Sequence, residues 1–387
     1  MNAHSSQLLR SLSVLPRGEW NALVGKVDPF AEYDFLACLE DSGSLDEESG
    51  WQPNHLLLRD GSELIAALPL YKKEHSYGEY IFDFAWADAA YRAGLPYYPK
   101  LVAMVPFTPA TGKRLLVAEG ELYGERVRAL RDALLETLDE SGLSSLHLNF
   151  LTEPERDVLI EDPRFLPRET LQFHFTNPGY GSFDDFLGEL RSSARKQIRR
   201  ERREANSLGL EIELLEGDAI GRQDLLTMGE LYRLTCLRKG SYPYLEPRFF
   251  ELAYERLRPW IVLVVARQQE QVIAASISFK KGAHLYGRYW GAYEELPHLH
   301  FELCYYRLIE YAITYGLTRV EAGAQGPHKI KRGFLPSTIH SVHAFAHPGL
   351  HSGIAEYLVR ERDANARQIE AAMRHSPFRT GVRSVER

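Results

Sequence analysis

The sequence predicts an α/β (α+β) protein in which one unit occurs twice in tandem. Two observations carry that prediction. The order helix, three-stranded meander, helix, strand is read once in each half of the chain. Between the halves, residues 153–168 are rich in charge and proline, the composition of a linker. At 387 residues the chain can bury two separate cores. The expected division is a domain over 1–152, a linker over 153–168, a second domain over 169–350 and a helical tail over 351–387.

Residues up to Gly43 read as helical, with Phe35, Leu36 and Leu39 on one apolar face before the Ser42-Gly43 stop. HLLLRDG, ELIAALPLYKKE and GEYIFDFAW read as three successive strands, and Asp60-Gly61 is a hairpin signal. Val127, Leu130, Leu134, Leu135 and Leu138 form one side of a helix over 125–140, which Ser141-Gly142 ends; SSLHLNFL is the strand after it. In the second half FDDFLGELRSSARKQIRRERREANSLG is helical, EIELLEG a short strand, and residues 224–258 helical again. WIVLVVARQQEQVIAASISFKKGAHLYGRYWGAY then supplies a meander. Phe301, Cys304, Tyr305, Leu308, Ile309, Ala312 and Ile313 follow helical spacing, with Gly316 at the C′ position. A strand and a cation-rich turn follow, and residues 353–375 read as a polar helix.

Composition narrows the function. A 44% hydrophobic and 26% charged chain is an ordinary soluble globular protein. Its formal charge of −7 argues against a general nucleic-acid binder. Cys38, Cys236 and Cys304 are far apart with no CxxC pair, which points to a reducing cytosol and against a disulfide framework or zinc ribbon. The first twenty residues lack a secretory apolar core, and no window approaches ~18 apolar residues in a row. A cytoplasmic location without a membrane span is expected.

The stretch TRVEAGAQGPHKIKRGF, Thr318 to Phe334, opens as a strand, breaks at Gly323, Gly326 and Pro327, and then presents His328, Lys329, Lys331 and Arg332. A glycine-rich turn followed by cations can bind an anion or stabilise one that forms during a reaction. Taken alone, a strand, a turn and a solvated basic edge is the simpler reading. The second cluster is RSSARKQIRRERR, where Arg195, Arg199 and Arg202 share one helical face and Lys196, Arg200 and Arg203 another. Glu201 and Glu204 can pair with some of these cations, yet a run this dense also fits a bound polyanion, an RNA backbone among them. Glu321 and His328 flank the opening turn and are the candidate bases. Arg238 and Tyr242, after a helix, can line a groove or cover a loop; Arg288, Tyr289 and Trp290 end a strand. In the first half, Asp83, Trp86, Asp88, Tyr97 and Tyr98 form a polar-aromatic tract suited to a sugar or a peptide, with packing the more ordinary use of at least half of them. His340, His343, His347 and His351 have helical spacing, but Pro348-Gly349 interrupts a helix there and TIHSVHAFAH alternates like a strand, so no metal is expected.

The helix–meander–helix–strand order is similar to the GNAT acetyltransferase fold. Two copies, together with GSELIAALPLYKKEHSYGEYIFDFAWADAAY, YYPKLVAMVPFTPATGKRLL, LYGRYWGAYEELPHLHFELCYY and EAGAQGPHKIKRGF, resemble the FemAB-like relatives of the FemABX aminoacyltransferases. The resemblance spans most of residues 30–350. It implies two GNAT-like domains with mixed sheets and an N-acyltransferase of a peptide, amino-sugar or peptidoglycan precursor. It also implies Lys331 as the cation for the oxyanion, with Lys329 as competitor, and Arg195 and Arg199 on a phosphorylated or nucleotide-linked substrate. Arg288 and Tyr289 would stand beside the acyl group. Where a GNAT protein carries an RxxGxG/A loop for CoA, this chain has YWGAYEELPHLHF. That departure favours aminoacyl-tRNA or another acyl carrier over acetyl-CoA as donor, with no tightly bound cofactor. A conventional acetyl-CoA transferase and a non-catalytic binder of RNA or a nucleotide-linked precursor are the alternatives.

Overall fold

The computed structural model describes residues 4–26, 28–323 and 326–379. The chain divides into two compact units, one of residues 1–170 and 338–367, the other of residues 171–337 and 368–387. The expected α/β class with open mixed sheets is the one observed. Among the described residues no helix is long and apolar enough to cross a membrane.

In the first unit one antiparallel sheet orders Ser5–Leu9, His55–Asp60, Glu63–Leu68 and Leu116–Val117. The other runs from the end of Leu335–Phe345 through Ser145–Leu151, Lys100–Ala103 and Leu70–Lys73 to Trp51–Pro53, with Lys100–Ala103 and Ser145–Leu151 parallel. The helix Tyr123–Ser141 lays Val127, Leu130, Leu134, Leu135 and Leu138 onto this core, and Gly142 ends it at φ 67°.

Four expectations are corrected. The first forty residues contain the strand Ser5–Leu9 as well as the helices Arg17–Val24 and Tyr33–Asp41. GEYIFDFAW is not a strand, because its polar residues, Glu79 and Asp83, are buried while Phe82 and Phe84 are exposed. The backbone turns there at Tyr80 (φ 61°), and the helix Phe84–Arg92 begins instead. Residues 153–168 are no linker. Thr152 caps the helix Glu153–Leu159 and donates to Glu155 Oε2 at 2.7 Å, so the proline and acids are helix-start signals. Residues 338–350 belong to the first unit, as does the helix Pro348–Met373 up to residue 367. That helix packs Leu350, Ile354 and Leu358 on Trp86, Tyr97 and Phe345.

The second unit is one mixed sheet. Glu211–Glu216, Ile261–Gln268, Gln271–Lys281 and His284–Ala292 are antiparallel neighbours. His284–Ala292 pairs in parallel with Arg319–Glu321, which pairs antiparallel with the end of Leu166–Thr176. Val262, Val264, Leu285, Val320 and Phe175 bury against the helices Phe183–Glu189, Ser192–Asn206 and Arg307–Thr314, the last contributing Leu308, Ile309 and Ala312.

Candidate functional site

The parallel pairing of His284–Ala292 with Arg319–Glu321 lasts three residues: His284 with Arg319, Leu285 with Val320, Tyr286 with Glu321. The first strand continues to Ala292; the second ends, and Gly323 bends the chain at φ 78°. The gap is a cleft lined in part by Ser276, Arg288, Tyr289, His300, Cys304 and Tyr305. Opposite Ile277 and Ser278 stand Tyr289 and Gly287, so Arg288 is the extra residue of a β-bulge. The other wall is helical and contains one π turn, Glu302–Tyr306, a distortion often found at functional sites. The expected uninterrupted helix over Phe301 to Ile313 is thus broken where it borders the cleft.

Beside the cleft, Pro327–Arg332 forms a 3₁₀ turn. Residues three apart eclipse in such a turn, so Lys329 and Arg332 share the inward side and both are buried, while Lys331 is exposed. The expectation for Lys331 is corrected on this ground: the buried ammonium is that of Lys329. Its Nζ donates to the Gly323 carbonyl at 2.9 Å. Burial pulls its pKa down to about 8, against a smaller upward pull from Cys304. Arg332 is fixed by a two-pronged pair with Glu201 at 2.9 and 3.1 Å and by the Phe301 ring, 3.4 Å from its guanidinium carbon. It also donates to the His328 carbonyl at 2.8 Å, and the Tyr306 hydroxyl donates to Glu201.

His328 is exposed, and its Nε2 lies 3.0 Å from the Tyr305 hydroxyl. Burial, then Arg332 and Lys329, lowers its pKa, which favours the neutral ring. His300, within the cleft, is pulled down to about 3, chiefly by burial. Glu321 is buried, but its carboxylate faces Arg319 at 3.3 Å and His174 at 3.8 Å. Strand alternation directs it away from the side on which Val320 meets the helix. Of the two candidate bases, His328 is the one beside the cleft.

The basic helix Ser192–Asn206 is partly neutralised. Arg202 pairs with Glu302 at 3.1 Å and Glu310 at 2.9 Å, Arg199 with Asp184 at 3.0 Å, and Arg200 with Glu204 at 3.9 Å. No hydrogen bond or ion pair engages the Arg195 side chain among the described residues. Arg199, Arg202, Phe183 and Asp184 border a shallow surface depression.

The other expected site residues make the following contacts. Arg238 donates to the carbonyls of Ala292, at 2.7 Å, and Tyr293, tying the helix Arg222–Arg238 to the end of the cleft strand. Tyr242 is exposed and packs edge-on to Tyr244 at 5.7 Å. Arg288 donates to the Tyr289 hydroxyl at 3.2 Å, and Tyr289 packs on Tyr232 at 4.8 Å. In the first unit, Trp86 is core, edge-on to His343 at 4.8 Å with Arg168 over its ring at 4.6 Å. Asp88 forms an i,i+4 surface pair with Arg92 at 2.6 Å.

The first unit also holds a buried charge cluster that joins Asp83 and Tyr97 of the polar-aromatic tract to Lys100 and Glu79, which the sequence did not single out. Lys100 donates to Asp83 at 2.5 Å, Ser76 at 2.8 Å and Glu79 at 2.9 Å, and the Tyr97 hydroxyl donates to Asp83 at 2.6 Å. Burial pushes Glu79 up to about 7; burial is also the largest single pull on Asp83, but Lys100, His147 and Ser76 together hold its carboxyl below the usual range. Among the described residues no set of three His, Cys, Asp or Glu side chains is placed to hold a metal ion.

A family profile, FemAB-like and described as peptidoglycan biosynthesis/recognition, matches residues 11–380. Among solved structures the chain is similar in fold to FemX, with 14% identity and a TM-score of 0.54 over 91% of this chain and 100% of that one. It is also similar to a conserved protein of unknown function from Bacteroides thetaiotaomicron VPI-5482, with 12% identity and a TM-score of 0.50 over 88% and 99% of the two chains. No curated protein matches the sequence.

Proposed function

Because the chain belongs to the FemAB-like family of peptidoglycan biosynthesis and recognition, we propose that it is an N-acyltransferase whose reaction takes place in the cleft of the second unit. One observation carries the assignment of the site: a buried lysine, Lys329, stands next to a cleft opened between two parallel strands. The amine of a peptide, amino sugar or peptidoglycan precursor attacks the carbonyl carbon of the donor. The carbon–nitrogen bond forms, negative charge collects on the carbonyl oxygen, and the Lys329 ammonium stabilises it. His328, neutral at pH 7, takes the proton released by the attacking nitrogen, with Tyr305 fixing its ring. Collapse of the intermediate expels the donor's alcohol or thiol, which takes up a proton.

The donor is an aminoacyl-tRNA or an acyl-CoA; the glycine-poor YWGAYEELPHLHF segment favours the former. Arg195, with its side chain unengaged, is the group for a phosphorylated acceptor. The test is turnover with each donor and a UDP-linked muropeptide, read by mass spectrometry of the acylated product. Product formation that Lys329→Ala lowers by ~100-fold or more, and Lys331→Ala leaves nearly intact, is expected. No product with either donor, alongside salt-sensitive RNA binding that both variants retain, would replace this reading with a binding protein.

A further inference from the structure

We propose that the first unit has a carbohydrate-binding surface, a row of exposed aromatic rings that takes an uncharged glycan chain. It goes beyond the transfer reading of the second unit and does not depend on it. Around the polar-aromatic tract, Asp83, Trp86 and Tyr97 are buried, while Tyr77, Phe82, Phe84 and Tyr91 are 58, 46, 42 and 82% exposed. His75 meets Tyr77 at 5.3 Å between ring centres, and Tyr77 meets Phe84 at 5.4 Å. Phe84 lies beside Phe82 at 5.8 Å, the two rings 19° from parallel. On the helix Phe84–Arg92, Asp88 and Tyr91 follow Phe84 at i+4 and i+7, so the row continues along one helical face for about 10 Å.

A buried cation fixes the backbone under three of these rings. Lys73 donates to the Tyr77 carbonyl at 3.1 Å, and Arg168 to the Phe82 carbonyl at 2.9 Å. Lys100 donates to Ser76 at 2.8 Å and to Asp83, the neighbour of Phe84, at 2.5 Å. The chain thus buries Glu79 and Asp83 and exposes Phe82 and Phe84, the reverse of what burial favours, and such a local cost marks a surface with a partner. A platform already fixed loses little freedom on binding. Its charge chooses the occupant. The solvent-facing cations nearest in the chain, Lys72 and Arg92, pair with Glu74 at 3.1 Å and Asp88 at 2.6 Å, which suits neither a nucleic acid nor an anionic bilayer. Asp88, between Phe84 and Tyr91, would also be costly to sink into lipid. A sugar fits rings and charges together. Its C–H face lies on the negative face of a ring, and its hydroxyls bond to the exposed Asp88 carboxylate and Arg92 guanidinium.

Saturation-transfer NMR at pH 7 tests this with two uncharged probes, tetra-N-acetylchitotetraose and cellotetraose, and needs no acyl donor. Saturable binding of at least one is expected, with the transferred signal on the sugar C–H protons. Tyr77→Ala and Phe84→Ala should each weaken it about tenfold, and Phe84→Trp should preserve it. Tyr315→Ala, which removes an exposed ring of the second unit, should leave it unchanged. Absence of binding by both probes overturns the inference, as does binding that Tyr77→Ala and Phe84→Ala retain in full. Without sugar binding, flotation on phosphatidylglycerol vesicles that Phe84→Ala abolishes would replace the glycan with lipid. Self-association lost in the same variant would replace it with a second copy of the chain. Failure here leaves the transfer reading standing, and absence of turnover in the donor assay leaves glycan binding standing.

Discussion

The Nδ1 atoms of His147 and His343 are 2.7 Å apart, on residues that oppose each other in an antiparallel strand pair of the first unit. One ring must donate and the other accept. Their Nε2 atoms meet Ser145 at 2.8 Å and Ser341 at 3.0 Å, so each ring is held at both ends. Burial keeps both pKa values well below the usual one; Lys100 and Arg168 act in the same direction on both rings, and Asp83 opposes them at His147.

Stability should therefore depend on pH through this pair. The unfolded chain protonates these histidines near pH 6.5, whereas the folded chain resists, so the unfolded state binds more protons below that pH. Each ring then costs stability at about 1.4 kcal/mol per pH unit as pH falls. Glu79, raised to about 7 in the fold, has the opposite sign between pH 7 and its unfolded value. Comparison with His343→Gln isolates the pair: urea unfolding at pH 7, 6 and 5 should give the variant the shallower loss.

Turnover should fall as pH rises through about 8, where Lys329 gives up the proton that stabilises the oxyanion. On the acid side it should fall only below the ordinary histidine range, since His328 must be neutral and its pKa is lowered. The rate profile against pH checks both limbs. Lys329→Arg, which stays charged, should lose the alkaline limb.

Glu201→Gln should destabilise the second unit by about 3–5 kcal/mol, because it leaves the buried Arg332 charge unpaired. Replacing both residues, Glu201→Gln with Arg332→Met, should cost less than the single change. Denaturant unfolding of the three proteins measures the difference.

Gly291→Ala should abolish soluble expression or cut stability by several kcal/mol. A Cβ there would lie 2.2 Å from the Leu231 carbonyl oxygen, a backbone atom of the helix Arg222–Arg238 that cannot give way. Gly240→Ala, with nothing within 4 Å of the added carbon, is a milder control whose cost comes from its φ of 63°. Thermal melting of both variants tests the contrast.

Much of the fold was legible because it is written locally. The meander from Ile261 to Ala292 has strand patterning, Gly61 makes the first unit's hairpin at φ 58°, and Gly316 ends its helix at φ 64°. What escaped depends on partners distant in sequence. Glu79 and Asp83 turn inward for Lys100, a residue that reads as one stray charge before an apolar strand. The cationic turn was legible as a cluster, but which lysine faces inward follows from the phase of a 3₁₀ turn, and spacing alone does not give that phase. Cys304 and Tyr305 looked like part of one face of a helix; the π turn and the parting strands make them, with His300, a wall of the cleft. Glu201, the one acid inside the run of arginines, was the available signal for the ion pair that holds Arg332.

A space that exists because a backbone ladder stops after Tyr286 and Glu321 does not depend on the size of the side chains around it. Side chains can change around it without closing it, although Ser276, whose hydroxyl donates to the Leu303 carbonyl, and Arg288, which donates to Tyr289, also hold their own elements in place. What the space admits is then set by a handful of lining side chains, while the ladder that opens it sets only where it lies.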